Sequence, residues 1–323
     1  MKMSKLDDFF LSFTLRLSEK YPTDSKIYLY ADYFELVSLF NKDSIITPAE
    51  MLDRLTDEGI LKQTENSEDQ AEQNDKEEAF VREVFMLLTQ RAISFDNDYP
   101  FNIQNENLTL KDNLSNKQKL YIFLLLSSNL NLFKPFQSDL TSEFELVSKE
   151  ALKNYLPNFA QVKNFGKNTE FQGYAHEKIR LLASEMNINV DEEYLSTIAS
   201  MGTQDLGLDV VGWMPLLDKI GNYISIFGQC ACGKDWNKKL NETRRYNKFL
   251  KIYLSEITHS LFIPYSLINY NNSNFFEHHE FGEPILLFER KRILSLINDG
   301  NVINTLLLKD LIEQCVTFDE DIV

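Results

Sequence analysis

Acidic and amide side chains at three positions form the pattern in this chain that is best suited to chemistry. Asp205 and Asp209 flank Gly207 at the start of one short apolar run, and Gln229 lies at the end of the next one. Alternate side chains of a strand share a face, so a hairpin with its turn near 218–222 brings Asp209 opposite Gln229. Two oxygen ligands at one sheet edge suit a hard cation such as Mg²⁺. The spacing therefore predicts a divalent-cation site at this edge.

The elements that must position these residues follow from hydrophobic periodicity. We expect a helix from Glu170 to about Met186, strands at 208–214 and 222–229, and a basic amphipathic helix over about 235–258. Helix, strands, helix and strand is the order of an α/β sandwich. The remaining predicted elements are strands at 262–265 and 285–288 and helices near 290–298 and 303–316.

The first half of the chain has helical periodicity. Thr47-Pro48-Ala49-Glu50 has the residues of a helix start, with a capping hydroxyl, a proline at the first helical position and a glutamate that can bond back. Helices are predicted at 9–17, 28–40, 79–88 and 120–133. The fold class expected is α+β, with a helical N-terminal domain followed by an α/β/α sandwich domain.

A polar, glycine-containing stretch at Asn164-Phe165-Gly166-Lys167-Asn168 marks a change in composition and predicts a hinge. We expect residues 1–163 to form a helical scaffold or partner-binding domain and residues 164–323 to form the domain that carries the site. The acidic segment 65–78 lacks hydrophobic periodicity and is typical of a solvated or disordered loop.

Composition excludes several classes of function. The chain has 323 residues, of which 43% are hydrophobic, and a net charge of −16, which counts against a protein that coats nucleic acid indiscriminately. Three cysteines are too few for a disulfide framework, so a reducing cytoplasm is expected. The best apolar run, Leu120 to Leu126, falls short of the roughly 20 residues of a membrane-spanning helix. We expect neither export nor membrane insertion.

A basic island follows the candidate site. Between Lys234 and Lys251 the chain has seven bases and the two acids Asp235 and Glu242. These bases are either DNA contacts or the solvated face of a helix. The aromatic residues Tyr246, Phe249 and Tyr253 recur at helical spacing, which favours packing over base stacking. The candidate nucleic-acid-binding residues are Lys238, Lys239, Arg244, Arg245 and Lys248.

The motifs resemble those of the PD-(D/E)XK nuclease superfamily, and within it the Mrr-like restriction endonucleases. That family has a glutamate on an opening helix, then Asp-x-Gly-x-Asp, then Gln-x-Lys. The stretch Glu170-Phe171-Gln172-Gly173-Tyr174-Ala175-His176-Glu177 resembles the first motif, Asp205-Leu206-Gly207-Leu208-Asp209 the second, and Gln229 takes the position of the third. The resemblance covers roughly residues 165–290.

The resemblance implies a metal-dependent nuclease that acts on DNA with Mg²⁺ or Mn²⁺. Asp209, Gln229 and Glu177 would hold the metal. It also implies a bacterial anti-phage or restriction system, in which a partner subunit such as an ATPase loads this acidic chain onto DNA. One position departs from the pattern, because Ala231 stands where the family has its lysine. Lys234 is the nearest replacement, and a catalytically inactive adaptor subunit with the same fold is the alternative.

Each candidate residue also has an ordinary structural explanation. The two aspartates around Gly207 are typical turn residues. Glu177 lies off the apolar stripe of its helix, so it is either exposed to solvent or part of the site. Gln229 is either a ligand or a hydrogen-bonding residue at a strand end. Cys230 is predicted to be a buried thiol, and the four histidines lack zinc-like spacing with the cysteines.

Overall fold

The computed structural model describes residues 3–17, 19–41, 45–61, 67–166, 169, 171–198, 206–216, 218–270 and 274–318. It is a mixed α and β protein. The helices are α1 Met3–Phe10, α2 Thr23–Leu39, α3 Pro48–Asp57, α4 Ser67–Phe95, α5 Asn116–Ser127, α6 Gln137–Tyr155, α7 Ala175–Glu185, α8 Glu192–Leu195, α9 Tyr246–Phe249, α10 Arg290–Leu296 and α11 Lys309–Thr317. The strands are β1 Phe101–Gln104, β2 Asn107–Leu110, β3 Gln161–Asn164, β4 Asn189–Val190, β5 Val210–Trp213, β6 Ser225–Cys230, β7 Leu250–Lys251, β8 Ile257–Phe262 and β9 Leu286–Phe288.

The chain divides into two compact units that differ from the predicted domains. Unit 1 comprises residues 1–140, 265–278 and 299–323, and unit 2 comprises residues 141–264 and 279–298. The predicted division at 163/164 therefore falls inside unit 2. The reason is that β3, which precedes residue 165, pairs with β5 in the main sheet, while the last helix of the chain, α11, belongs to unit 1. Local composition does not reveal such long-range pairing.

Unit 1 is built mainly from helices, as the periodicity predicts. The start of α3 is confirmed: Thr47 caps the helix, Pro48 is at its first position, and Glu50 completes the capping box. The helices predicted at 28–40 and 79–88 are confirmed as α2 and part of α4. The helix predicted at 9–17 is wrong, because α1 ends at Phe10 and residues 11–17 are not helical, and the helix predicted at 120–133 already ends at Ser127.

The acidic segment predicted to be a loop is largely helical. Residues 67–78 form the beginning of α4, whereas 65 and 66 lie outside the described residues. The segment is rich in residues with high helix propensity. Pairs four residues apart also support it, with Lys76 Nζ 2.7 Å from Glu72 Oε1 and Gln73 Nε2 2.7 Å from Glu77 Oε1. Helix propensity and side-chain pairs therefore outweigh the missing apolar stripe in this segment.

Unit 2 contains a mixed five-stranded sheet with the order β3-β5-β6-β8-β9. β5 is antiparallel to both β3 and β6, while β6, β8 and β9 are parallel. The predicted pairing of the two runs around 208–214 and 222–229 is confirmed as β5 and β6. The strand predicted at 262–265 lies earlier in the chain, where it forms β8. Its position follows from its parallel pairing with β6, which begins at Ser225.

Both faces of this sheet are covered within unit 2. On one face, Gly212 of β5 lies against Leu152 of α6 and Leu156 just beyond it. On the other face, Val211 and Phe227 share a buried core with residues of α7 and α9. Strands covered on both faces need continuous apolar sequence, which β5 and most of β6 have.

The basic helix predicted over 235–258 is wrong. The chain instead forms 3₁₀ turns at Trp236–Lys239 and Glu242–Arg245, then the single turn of α9, then β7. Helical periodicity is overruled because β7 pairs with β4 and ends the helical stretch. Tyr246 and Phe249 are buried, as predicted, but Tyr253 is 73% exposed and its predicted packing role is wrong.

Among the described residues, no helix is long and apolar enough to cross a membrane.

Candidate functional site

Asp209 and Gln229 lie in neighbouring segments of the same sheet. The register pairs Val210 with Gly228, so Asp209 and Gln229 flank the last pair of β5 and β6. If the register continued by one residue, Asp209 would lie opposite Gln229. The backbone N–H of Asp209 instead donates to the Gly228 carbonyl at 3.0 Å, so the pairing is offset by one residue at this position. An offset of one residue is characteristic of a β-bulge, which redirects a side chain at a strand end. Asp205 lies outside the described residues.

The Gln229 side chain is buried and only partly hydrogen-bonded. It is 3% exposed, and its Nε2 donates to Glu242 Oε2 at 2.6 Å. Its Oε1 has no hydrogen-bond partner among the described residues. A buried carbonyl oxygen without a partner costs about 1–3 kcal/mol, so native structures rarely retain one without a reason. A cation or an ordered water would satisfy this oxygen.

Glu242 is the residue that reasoning from the sequence missed. It begins the 3₁₀ turn Glu242–Arg245 and is half-buried, so the Gln229–Glu242 pair is accessible from one side. In the sequence it is one of two acids within the basic island. The signal that could have identified it is this isolated acid, but only the fold shows which strand it faces.

Gly207 allows the chain before β5 to approach this pair closely. Its φ is +83°, and a Cβ added there would lie 2.6 Å from Glu242 Cβ and 3.4 Å from Gln229 Nε2. Only glycine adopts this backbone conformation without strain and also leaves that space open. The glycine between the two aspartates of the motif therefore has a packing role next to the site.

The Asp209 carboxylate is fixed by a hydrogen bond from the backbone of the neighbouring strand β6. It is 8% exposed, and its Oδ2 accepts the backbone N–H of Cys230 at 2.7 Å. Burial, and then the Asp209 charge, raise the pKa of the Cys230 thiol well above its usual range. Burial also raises the pKa of Cys232. Both thiols are therefore protonated. A protonated thiol fits a structural role, whereas a nucleophilic cysteine must be a thiolate.

Glu177 is placed at the start of α7. Its Oε2 accepts the backbone N–H of Tyr174 at 2.8 Å, so the Glu177 side chain caps the first turn of the helix. The residue is exposed. In the part of the chain that the structure describes, the hydrogen bonds of Glu177 do not reach Asp209 or Gln229. The helix predicted from Glu170 begins at Ala175, and Glu170 lies outside the described residues.

Ala231 and Lys234 follow the end of β6. Ala231 is 1% exposed, and its backbone N–H donates to the Phe262 carbonyl at 2.9 Å. Lys234 is half-buried and has interactions within the protein. The alanine is therefore packed into the fold, and Lys234 stays the predicted replacement for the lysine of the motif.

A second buried polar pair lies next to Glu242. Thr243 Oγ1 and His259 Nδ1 are 3.0 Å apart, and His259 Nε2 has no hydrogen-bond partner among the residues described. His259 is in β8, opposite Phe227 of β6. Burial, assisted by the positive charge of Arg244, lowers the pKa of His259 to about 4. The imidazole is therefore neutral at neutral pH, and no sequence motif pointed to it.

The candidate DNA contacts are not equivalent. The guanidinium group of Arg244 is already hydrogen-bonded within the protein. Its Nη2 donates to the Pro284 carbonyl at 2.6 Å and its Nε donates to Asn241 Oδ1 at 3.0 Å. Lys238 is exposed, but its Nζ lies 2.6 Å from Asp235 Oδ2 and forms an ion pair with it. The other candidates are exposed at the surface of unit 2, and they are Lys239, Arg245 and Lys248.

The residues present fit a hard divalent cation. Asp209, Glu242 and Gln229 offer carboxylate and carbonyl oxygens, the ligands that Mg²⁺ and Mn²⁺ prefer. Across the described ranges, no group of three or more His, Cys, Asp or Glu side chains is arranged to hold a metal. The Gln229 carbonyl oxygen is a further possible ligand, and it is buried without a hydrogen-bond partner among the described residues.

In comparisons with known proteins, no family model, no curated protein and no solved structure matches this chain.

Proposed function

We propose that unit 2 carries a metal-dependent nuclease site that hydrolyses phosphodiester bonds in DNA. The observation that supports it most is the buried, unpartnered Oε1 of Gln229. The amide nitrogen of the same side chain donates to the Glu242 carboxylate, and Gln229 is in β6, which pairs with the strand that begins just after Asp209. The helices on both faces of the five-stranded sheet agree with the α/β/α sandwich that the motifs imply.

The side chains of the site divide the work. The backbone N–H of Cys230 positions the Asp209 carboxylate, so the side chain needs little reorganisation to bind a cation. Gln229 contributes a neutral oxygen from a buried position, where an electrostatic interaction is stronger than in water. When bound there, Mg²⁺ or Mn²⁺ supplies Lewis-acid chemistry toward a phosphate group and a water molecule.

Basic residues would hold the substrate. Lys234 is the candidate for positioning the attacking water or stabilising the charge that develops on the phosphate. Arg245 and Lys248 are exposed and can pair with backbone phosphates. Because the net charge is −16, association with DNA would be weak without help. A partner subunit, such as an ATPase of a bacterial anti-phage or restriction system, would supply the loading.

A catalytically inactive adaptor with the same fold is the second candidate. Ala231 favours it, because a buried alanine replaces the lysine of the motif. Exposed apolar residues at the other end of the sheet also favour it, since such patches mark interaction surfaces. They lie in the β5–β6 connection and just after β7, where Asn222 Oδ1 accepts the N–H groups of Tyr253 and Leu254. The exposed residues are Leu216, Ile220, Ile224, Tyr253 and Leu254.

Cleavage assays on the purified chain separate the two candidates. Plasmid, linear and single-stranded DNA, with RNA alongside, are incubated with Mg²⁺ or Mn²⁺, alone and with the products of the neighbouring genes. Asp209→Asn should reduce cleavage by at least about 100-fold, because a direct ligand matters at least as much as its supporting shell. Asp53→Asn, an exposed change in α3, should leave it unchanged. Intact nucleic acid under all these conditions would support the adaptor.

A further inference from the structure

Glu242 accepts a hydrogen bond from a buried side-chain amide. Its Oε2 accepts from Gln229 Nε2 at 2.6 Å. That hydrogen bond fixes the orientation of the amide, because the nitrogen must face the carboxylate and the oxygen cannot. Gln229 Oε1 is consequently left without a partner, while the residue is only 3% exposed. Gln229 thus presents its amide nitrogen to the Glu242 carboxylate and keeps an oriented, unpartnered carbonyl oxygen on the same amide group.

The charge of Glu242 is not balanced by the bases around it. In the described part of the chain, no lysine or arginine forms an ion pair with Glu242, although seven bases occur between Lys234 and Lys251. Arg244, two residues away, donates instead to the Pro284 carbonyl and to Asn241. A half-buried carboxylate within a basic island, without an ion pair to a base, is a place where a bound cation would be stabilised.

The backbone brings the Asp209 segment to the same place. Gly207, two residues before Asp209, lies so close to Glu242 and Gln229 that a methyl group would overlap Glu242 Cβ. The turn at Leu206 and Gly207 has positive φ at both residues, +57° and +83°. A β-carbon costs roughly 1–2 kcal/mol in this conformation, so strain at Leu206 is retained to keep the turn against Glu242.

We propose that Glu242, rather than Glu177, supplies the second carboxylate of the divalent-cation site, together with Asp209 and the carbonyl oxygen of Gln229. The inference rests on the proposed function for the identity of the site but is tested by binding alone. Glu177 is the acid that the motif resemblance selects, but its carboxylate caps α7 through the Tyr174 N–H. The two glutamates therefore make opposite predictions.

The experiment measures Mn²⁺ binding to the full chain by calorimetry and by electron paramagnetic resonance. Glu242→Gln should weaken Mn²⁺ binding by about tenfold or more and remove the Mn²⁺-dependent rise of the thermal midpoint. Glu177→Gln is the matched control, since the side-chain oxygen of glutamine can also accept the Tyr174 N–H. It should bind Mn²⁺ as the wild type does.

Folding of each variant is checked by circular dichroism without metal. If Glu242→Gln does not fold, Glu242→Asp replaces it, because a carboxylate shortened by one methylene keeps its charge but should still bind Mn²⁺ more weakly. Weakened binding in Glu177→Gln, with unchanged binding in Glu242→Gln, would overturn the inference and leave the proposed nuclease intact. Glu242-dependent binding without cleavage of any nucleic acid would support the inference and reject the nuclease. Absence of Mn²⁺ binding by the wild type at millimolar concentration would overturn both.

Discussion

The two units of this protein each bury charged or polar groups, but they treat them differently. In unit 1, Arg91 is fully enclosed and its Nη1 lies 2.7 Å from Asp32 Oδ1 and 2.9 Å from Glu35 Oε1. In unit 2, Gln229 is equally enclosed, but its oxygen has no partner among the described residues and its nitrogen donates to the half-buried Glu242. The carboxylates of the first cluster pair with Arg91, whose Nε has no hydrogen-bond partner among the described residues, whereas the second cluster combines an unpartnered acceptor with a carboxylate that has no ion pair to a described lysine or arginine.

The hydrogen bonds around the Arg91 cluster explain why it is structural. Tyr99 and Tyr121 both donate to Glu35 Oε1 at 2.8 Å, and Ser128 donates to Asp32 Oδ2 at 2.8 Å. Burial alone would lower the pKa of Arg91, but the two carboxylates outweigh it and hold the pKa well above its usual range. A buried group that is paired on several sides holds a fold together, whereas an unpaired one suggests a ligand.

The largest expected effect tests the paired cluster. Arg91→Met leaves Asp32 and Glu35 without their counter-charge in a buried site and should lower the free energy of unfolding by about 3–5 kcal/mol. Arg82→Met on the same helix is the control, because that side chain is 63% exposed and its ion pair to Glu78 is 4.0 Å long. It should change stability by about 0.5 kcal/mol or less. Urea titration measures both, and similar losses would remove the distinction between the clusters.

A smaller effect is expected at the glycine beside the site. Gly207→Ala combines a left-handed backbone with overlap against Glu242 and should lower the free energy of unfolding by about 2–3 kcal/mol. Gly59→Ala isolates the backbone part, since φ is +74° there and nothing lies within 4 Å of the added carbon. That change should lower the free energy of unfolding by only about 1 kcal/mol. Equal losses in the two variants would mean that Gly207 is not held against the site.

Removing the unpartnered oxygen should have little effect on stability and a large one on binding. Gln229→Leu deletes a buried acceptor that has no partner, which is stabilising, and also the hydrogen bond that Nε2 donates to Glu242, which is destabilising. Because the two effects oppose each other, the free energy of unfolding should stay within about 1 kcal/mol of the wild type, while Mn²⁺ binding is lost. Gln73→Leu makes the same change at a glutamine that also pairs with a glutamate, Glu77, in α4. It should leave Mn²⁺ binding unchanged. A large loss of stability in Gln229→Leu would indicate that the oxygen is already satisfied in the metal-free protein.

The smallest effect at neutral pH concerns His259. Its pKa of about 4 in the folded protein is below the usual value of about 6.5 in an unfolded chain. Between these two pH values the unfolded chain binds more protons than the folded protein does. The contribution of neutral His259 to stability is therefore fully present above about pH 6.5 and decreases as the pH falls toward 4. His259→Gln should flatten this part of the curve of unfolding free energy against pH. An unchanged curve in the variant would show that other groups cause the acid sensitivity.

Much of unit 1 and part of the site could be predicted from local sequence. The capping box at Thr47 is confirmed, because capping depends on residues three positions apart. The strand that begins just after Asp209 and the strand that contains Gln229 are neighbours, as alternation and turn spacing indicate. The position of β3 and the broken helix after Trp236 could not be predicted, because each depends on pairing with a strand distant in the chain.

The amino-acid sequence by itself determined which residues have chemical capacity: an aspartate before one strand, a glutamine at the end of the next and a glycine that permits close approach. Only the tertiary structure decided which acid contacts that glutamine. Glu177 has the position that the motif implies, yet it caps its own helix. Glu242 has no motif, yet it faces Gln229 across thirteen positions of sequence. Capping is a local interaction that sequence can encode in a few residues, whereas the approach of a 3₁₀ turn to a strand end depends on how the whole sheet packs.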